Sequence, residues 1–243
     1  MTIQLHDVDT VLDCRLLITH PTRPRVLTVR HSNAWSLPAL TPLEHHVAAV
    51  RHINLSAFRL FGLRTCVRRL IRESTDDSSY HSIFRWYELE VVGELAKQRI
   101  ERTAWAGRDV LDEMEFEPPA DRDVTEAWLR DYEATDDGAI GPPWNQPGWF
   151  ESASTWMRRR AAAAGAPPVD QPPEQHWNDD AICVLVAASD LGAIVMTAST
   201  SPKAIGSSLW ASRLDGARIE PIAEDSARNW ALYRVSDAPG LWS

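Results

Sequence analysis

Apolar and polar positions change rhythm several times along the chain, and each change marks an element. Residues 15–18 and 25–30 are short runs rich in Leu, Val and Ile, split by Thr22-Arg23-Pro24. Such runs on either side of a Pro-containing turn predict two hairpin-linked strands. A loop carrying Pro38 and Pro42 leads into residues 47–61, read as a helix and followed by Gly62-Leu63. Residues 65–71 and 82–92 then alternate like strands across Asp76-Asp77-Ser78-Ser79. Strand, strand, helix, strand, strand is the order of an α+β sandwich. Residues 95–105 read equally as a helix or a strand, and 125–132 as a short helix before Asp136-Asp137-Gly138.

A second pattern begins where Gly141-Pro142-Pro143 punctuates the chain. Pro147-Gly148-Trp149-Phe150 opens a helix that puts Trp149, Ala153, Trp156, Met157 and Arg160 on one face, an aromatic stripe expected to dock the two domains together. The Pro-rich stretch from Ala166 to Pro173 predicts a stiff, extended linker. Residues 181–187 and 192–198 read as a hairpin around Ser189-Asp190-Leu191-Gly192, 202–214 as a helix and 229–235 as a last strand. His176, Trp177 and Asp179-Asp180 form a polar cluster at the end of the linker, in which the aspartates read as a helix cap or turn. The expected organisation is a domain over 1–140, a connecting helix and linker over 141–173, and a small β-rich domain over 174–243.

Bulk properties narrow the partners. The 243 residues suffice for two cores, and a formal charge of −9 disfavours nucleic acid, which needs a surplus of Lys and Arg. Arg51, Arg59, Arg64, Arg68, Arg69 and Arg72 nonetheless crowd one stretch, and 109–137 is acidic. Cys14, Cys66 and Cys183 are far apart and read as buried thiols of a reducing compartment. The opening residues show no apolar core behind a basic start, and no apolar run reaches bilayer length. The expectation is a cytoplasmic protein with a small-molecule ligand, no nucleic acid or membrane partner, no cofactor, and self-association open.

Trp35-Ser36-Leu37-Pro38, the helix over 47–61, Gly62-Leu63 and the strand ending Tyr87-Glu88-Leu89-Glu90 resemble the Nudix family. That resemblance implies an α/β/α sandwich whose Glu-rich helix holds a divalent metal against a diphosphate, a hard cation that takes oxygen ligands. Aligned on Gly62-Leu63, the three Glu positions of the family hold Ser56, Arg59 and Leu60, so the expected metal ligands here are none. Pro142-Pro143-Trp144, Pro147-Gly148-Trp149-Phe150, the hairpin and Asn229-Trp230-Ala231-Leu232-Tyr233-Arg234 resemble the small N-terminal lobe of aminoglycoside-phosphotransferase-like, kinase-like proteins. In that family the second hairpin strand carries a Lys that grips nucleotide phosphates. Thr197 stands in its place, and the catalytic lobe is not represented in these residues.

What chemistry remains rests on a few side chains. Glu88 and Glu90 alternate with Tyr87 and Leu89, so both carboxylates share one strand face; burial there would make one a proton donor, exposure only a solubilising charge. His45 and His52 are the general acid/base candidates beside Glu44, since imidazole titrates near neutrality. Their spacing is too wide for a helical metal pair. Arg30, His31, Trp35, Tyr87 and Glu44 are the expected substrate-binding residues. Three functions stay open. One is a metal- and ATP-independent tailoring enzyme for cyclisation, isomerisation or elimination of a small organic molecule; the second is a non-catalytic pseudoenzyme that binds a nucleotide-like or antibiotic-like ligand; the third is a structural or partner-binding protein.

Overall fold

The protein is α+β. The structure, a computed structural model, describes residues 11–42, 46–76, 82–95, 101–134, 141–166, 171–189, 192–201, 214 and 216–237. The chain divides into two compact units, one of residues 1–45, 56–65 and 69–137, the other of 46–55, 66–68 and 138–243.

In the first unit a mixed sheet gathers β1 (Val11–Thr19), β2 (Val26–His31), β3 (Ala34–Ser36), β4 (Ala39–Leu40), β5 (Thr65–Asp76), β6 (Ser82–Val91) and β7 (Thr103–Ala106). Its main order is β3-β2-β1-β6-β5, with β4 on β1 and β7 on β2. β1 runs antiparallel to β2 and parallel to β6, from Val11 opposite Ser82 to Thr19 opposite Glu90. Lying inside the sheet, β1 buries Leu16, Leu17 and Ile18 in succession, the continuous apolar run of a strand covered on both faces. The ambiguous stretch 95–105 resolves as β7, with 96–100 outside the described residues. After the short helix α2 (Arg108–Leu111) comes α3 (Pro119–Ala134), twice the length that the apolar spacing suggested. Pro119 at its first position and Asp121 in its first turn start it ahead of the apolar stripe, where a missing N–H costs nothing and negative charge is favoured. That stripe, Val124, Trp128 and Leu129, closes a core with Leu17, Val26, Leu37 and Trp86.

The second unit is built on an antiparallel sheet in the order β11-β12-β10-β9-β8. These strands are β8 (Glu174–Asn178), β9 (Ile182–Ser189), β10 (Gly192–Ser199), β11 (Arg218–Asp225) and β12 (Trp230–Ser236). His176 and Trp177, given no element by the sequence, lie on strand β8; Asp179 makes the expected turn after it, accepting from Ala181 N and Ile182 N at 2.8 Å, and β11 was not legible at all. The expected 202–214 helix lies, except for Leu214, outside the described residues. β8 explains why the helix α1 (Arg51–Phe61) starts four residues later than its spacing suggested. Ala48 to Val50 are tied to β8 by a bridge between Ala49 and Trp177: Asn178 N donates to Ala48 O at 2.9 Å and Val50 N to His176 O at 3.1 Å. Backbone groups taken by a strand are no longer free to open a helix turn. The Gln175 amide completes the same edge like an extra peptide, accepting from Val67 N at 2.7 Å and donating to Val67 O at 2.9 Å. A second core joins Ala48, Ala49 and Trp177 to Val184, Val186, Val195 and Val235. The helix α4 (Trp149–Ala163) buries Trp149, Phe150, Ala153, Trp156 and Met157, while Arg160 of the expected stripe is exposed. All three cysteines are buried and free, and no helix among the described residues is long and apolar enough to cross a membrane.

Candidate functional site

The candidates of the first unit lie on β2, β3 and β6. Tyr87 and Glu88, being neighbours on β6, point to opposite faces of the sheet, and both are buried. Burial pushes the Tyr87 phenol well above its ordinary value of 10.0, so it stays neutral across the physiological range. Glu88 is 1% exposed, and each of its oxygens accepts a hydrogen bond: Arg69 Nε donates at 2.7 Å and Trp128 Nε1 at 3.0 Å. Glu90, two residues on, is half-buried on the same face. Arg30 and His31 end β2 exposed, and the Arg30 guanidinium lies 5.7 Å from the centre of the Trp35 ring. Trp35 is committed by its backbone, which receives Glu117 N at 2.8 Å and donates to Glu115 O at 2.7 Å, and its side chain packs on the core below. Glu44 and His45 lie outside the described residues, and His52 falls in the second unit, half-buried on α1.

One buried acid was missed. Asp121 is fully buried at the start of α3 and accepts from Trp86 Nε1 at 3.0 Å and Leu37 N at 2.9 Å, with Arg15 Nη1 at 3.6 Å. Burial raises its carboxyl above the ordinary 3.8, while Trp86, Arg15 and the Leu37 N–H pull the other way. It precedes the helix expected over 125–132, and that an indole would meet it from β6 depends on the pairing of distant strands. Glu88 and Asp121 thus share one plan, a carboxylate under the sheet with a tryptophan N–H and an arginine on it.

A metal of the kind held by Glu-rich helices finds no fit on α1. Arg59 would repel a cation, and Leu60, 54% exposed, offers no donor atom, leaving the Ser56 hydroxyl as a single neutral oxygen. Among the described residues no three His, Cys, Asp or Glu side chains gather where they could hold a metal ion.

The second unit contains a cavity of about 880 Å³ that none of the expected site residues line. Its wall includes Trp149 at the start of α4, Ser199 at the end of β10 and Thr200 after it, and Arg228 and Asn229 leading into Trp230 at the start of β12. Gly148, at φ 72°, turns the chain into α4 so that Trp149 opens the helix; this left-handed backbone favours glycine. Asn229, at φ 52°, closes the tight connection between β11 and β12, a conformation Asn tolerates. Trp149 and Trp230 stand nearly perpendicular, centroids 5.9 Å apart at 87°, and Trp230 also meets Trp156 at 5.4 Å. Arg228, exposed and 3.4 Å from Asp225, lies 5.1 Å from the centre of the Trp230 ring. Trp149 Nε1 and Ser199 Oγ are buried in the wall without a hydrogen-bond partner among the described residues. An indole N–H can only donate, so its partner has to be an acceptor. The sequence named Trp149 only as part of a stripe; the other wall residues are distant in the chain and carried no signal.

Elsewhere in this unit a charged cluster ties α1 to β8. Glu174 lies 3.7 Å from His176 Nε2 and accepts from Arg51 Nε at 3.0 Å, and these partners, His176 foremost, hold its carboxyl down at about 2.

No family model matches the chain, and no curated protein is similar to it. Solved structures similar to about half of it include Nudix hydrolases. A putative oxidoreductase from Sinorhizobium meliloti 1021 is 15% identical, with a TM-score of 0.41, over 54% of this chain and 42% of its own, so that less than half of its length is spanned. A NUDIX hydrolase from Nitrosomonas europaea is 12% identical over 53% of this chain and 74% of its own, with a TM-score of 0.41. The MutT protein from Methanosarcina mazei Go1 is 18% identical over 53% of this chain and 99% of its own, with a TM-score of 0.38.

Proposed function

We propose that this chain is a non-catalytic, small-molecule-binding protein whose first unit is a Nudix-like sandwich without the family's metal chemistry, and whose second unit takes the ligand. The observation that carries this reading is the tryptophan-walled cavity of the second unit, roomy and with a buried donor among its wall residues that has no partner among the described residues. A pocket of this size, mostly apolar with a few polar groups, is the usual form of a small-molecule site.

Two features support the non-catalytic half. Ser56, Arg59 and Leu60 cannot supply the oxygens a divalent cation needs, so diphosphate hydrolysis has no electrophile to draw on. Glu88, the acid/base candidate, has an indole and a guanidinium already donating to its two oxygens. A general acid or base must reach its substrate within hydrogen-bond distance, and a carboxylate so closed in is better suited to holding β6 against α3. We read the second unit as related to a kinase-like small lobe, with buried Thr197 on β10 standing where a phosphate-gripping lysine is expected; without that charge a nucleotide triphosphate is a poor occupant.

The test is incubation of the purified protein with nucleoside diphosphate derivatives, in Mg²⁺ or Mn²⁺ and again in EDTA. The reading predicts no hydrolysis in any case. Turnover that stops on adding EDTA would refute it.

A further inference from the structure

The cavity also says what kind of molecule it takes. Resting on the binding reading above, we infer that its ligand is a flat aromatic molecule carrying an acceptor oxygen, as a carboxylate or an amide carbonyl, and no ammonium group beside the ring.

Shape and wall chemistry give the aromatic body. Rings prefer edge-to-face or offset contact, with centroids about 4.5–7 Å apart. Trp149 and Trp230 already adopt that geometry with each other, and Trp230 repeats it with Trp156. A third ring entering beside them gains the same contact, which a saturated ring of equal area does not. About 880 Å³ has room for a fused bicycle.

The polar groups give the acceptor. Buried donors in folded proteins nearly always have partners, and those that do not call for an explanation. Trp149 Nε1 is such a donor, and the Ser199 hydroxyl, 3% exposed, is a second unpartnered group in the same wall. Both atoms belong to residues of the cavity wall and are inaccessible as they stand, so an acceptor oxygen bound there meets them only if the indole and the hydroxyl rotate. Arg228 adds positive charge at the edge and favours an anionic over a neutral acceptor, partly offset by Asp225 and by Asp180, the acidic residue of the lining. That balance predicts a modest preference for the carboxylate and tolerance of the amide. A ligand ammonium would leave the indole N–H unmatched and meet Arg228 with like charge.

The experiment is calorimetric titration of the full chain with 2-naphthoate, 2-naphthamide, 2-naphthylmethylammonium and decahydro-2-naphthoate. The expected result is saturable binding of the first two, the carboxylate a few-fold tighter, with the ammonium and the saturated acid at least about tenfold weaker. Trp149→Phe weakens both acceptor ligands by about tenfold, the loss of one hydrogen bond. Arg228→Gln, at an exposed position that leaves the core intact, removes the advantage of naphthoate over naphthamide. Saturable binding of the ammonium or of the saturated acid at equal strength overturns the ligand class while leaving a binding cavity in place. No saturable binding by any of the four compounds overturns both.

Discussion

Two pairs of tryptophans are used in opposite ways. In the first, Trp86 and Trp128 turn their N–H groups onto buried carboxylates, Asp121 and Glu88, and each carboxylate also has an arginine within ion-pair distance. In the second, Trp149 and Trp230 lean ring on edge around an open space, and the Trp149 N–H is left without a partner among the described residues. A polar group matched inside the fold contributes to stability, while one left unmatched beside a cavity costs stability until a ligand arrives. The same residue type therefore holds buried charge in the first pair and, on the proposed reading, serves recognition in the second; Trp144 and Trp177 of the second unit, whose N–H groups reach Asp179, behave like the first pair.

The largest effect should come from opening the matched cluster. Glu88→Ala leaves Arg69 and Trp128 without their acceptor and is expected to cost about 3 kcal/mol, the lower end for a broken buried pair because Arg69 is partly exposed. Urea denaturation followed by circular dichroism measures it, and a cost below about 1 kcal/mol would remove Glu88 from the structural role. Next, the two tryptophans can be compared directly. Trp128→Phe leaves a Glu88 oxygen without its donor, whereas Trp149→Phe breaks no hydrogen bond among the described residues, so the first should be more destabilising by about 1–2 kcal/mol. Equal losses would mean that both indoles are merely packed.

The smallest effects are on pH. Glu174 is held down at about 2 from an ordinary 4.5, so its contribution is present above 4.5 and is lost as pH falls towards 2. Its side chain is 41% exposed, and solvent screening keeps the contribution under about 1 kcal/mol. Glu174→Gln should remove that part of the acid loss, seen as a flatter fall in unfolding free energy below pH 4.5. Asp121 has the opposite sign. Its raised carboxyl binds a proton in the folded state that the unfolded chain gives up, so its unfavourable term is absent below 3.8 and fully present above the raised value. Wild type should therefore gain on Asp121→Asn as pH is lowered towards 3.8; a gap that widens against wild type would show that the carboxylate is not strained by burial.

Local pattern made much of this fold legible. Strands β1, β2, β5 and β6, the helix that begins at Trp149 and the hairpin of β9 and β10 follow from short runs and turn residues, whereas β3 and β4 carried no strand signal and β4 falls in the expected loop. What the pattern lost is what long-range pairing decides. Ala48 to Val50 have helical spacing yet pair with β8, and the polar residues Glu174, Gln175 and His176 hid that strand, Gln175 being spent on the Val67 backbone and His176 lying against Glu174. β11 alternates too weakly, with Glu220, Pro221 and Glu224 among exposed or half-buried positions, to read as a strand alone. At the candidate sites the sequence singled out Glu88 but not its partners, since Arg69 and Trp128 lie 19 and 40 residues away. The cavity was beyond reach for the same reason, being assembled from Trp149, Ser199 and Trp230, which meet only once the sheet has formed.

The contrast between the two tryptophan pairs is tested most directly by the indole region of a ¹⁵N spectrum, in which the 11 tryptophans report separately. With single substitutions for assignment, titration with 2-naphthoate should shift the Trp149 and Trp230 indole signals in a saturable way and leave those of Trp86 and Trp128 in place. Movement of Trp86 and Trp128 with Trp149 and Trp230 unchanged would put the ligand at the buried carboxylates and contradict the account.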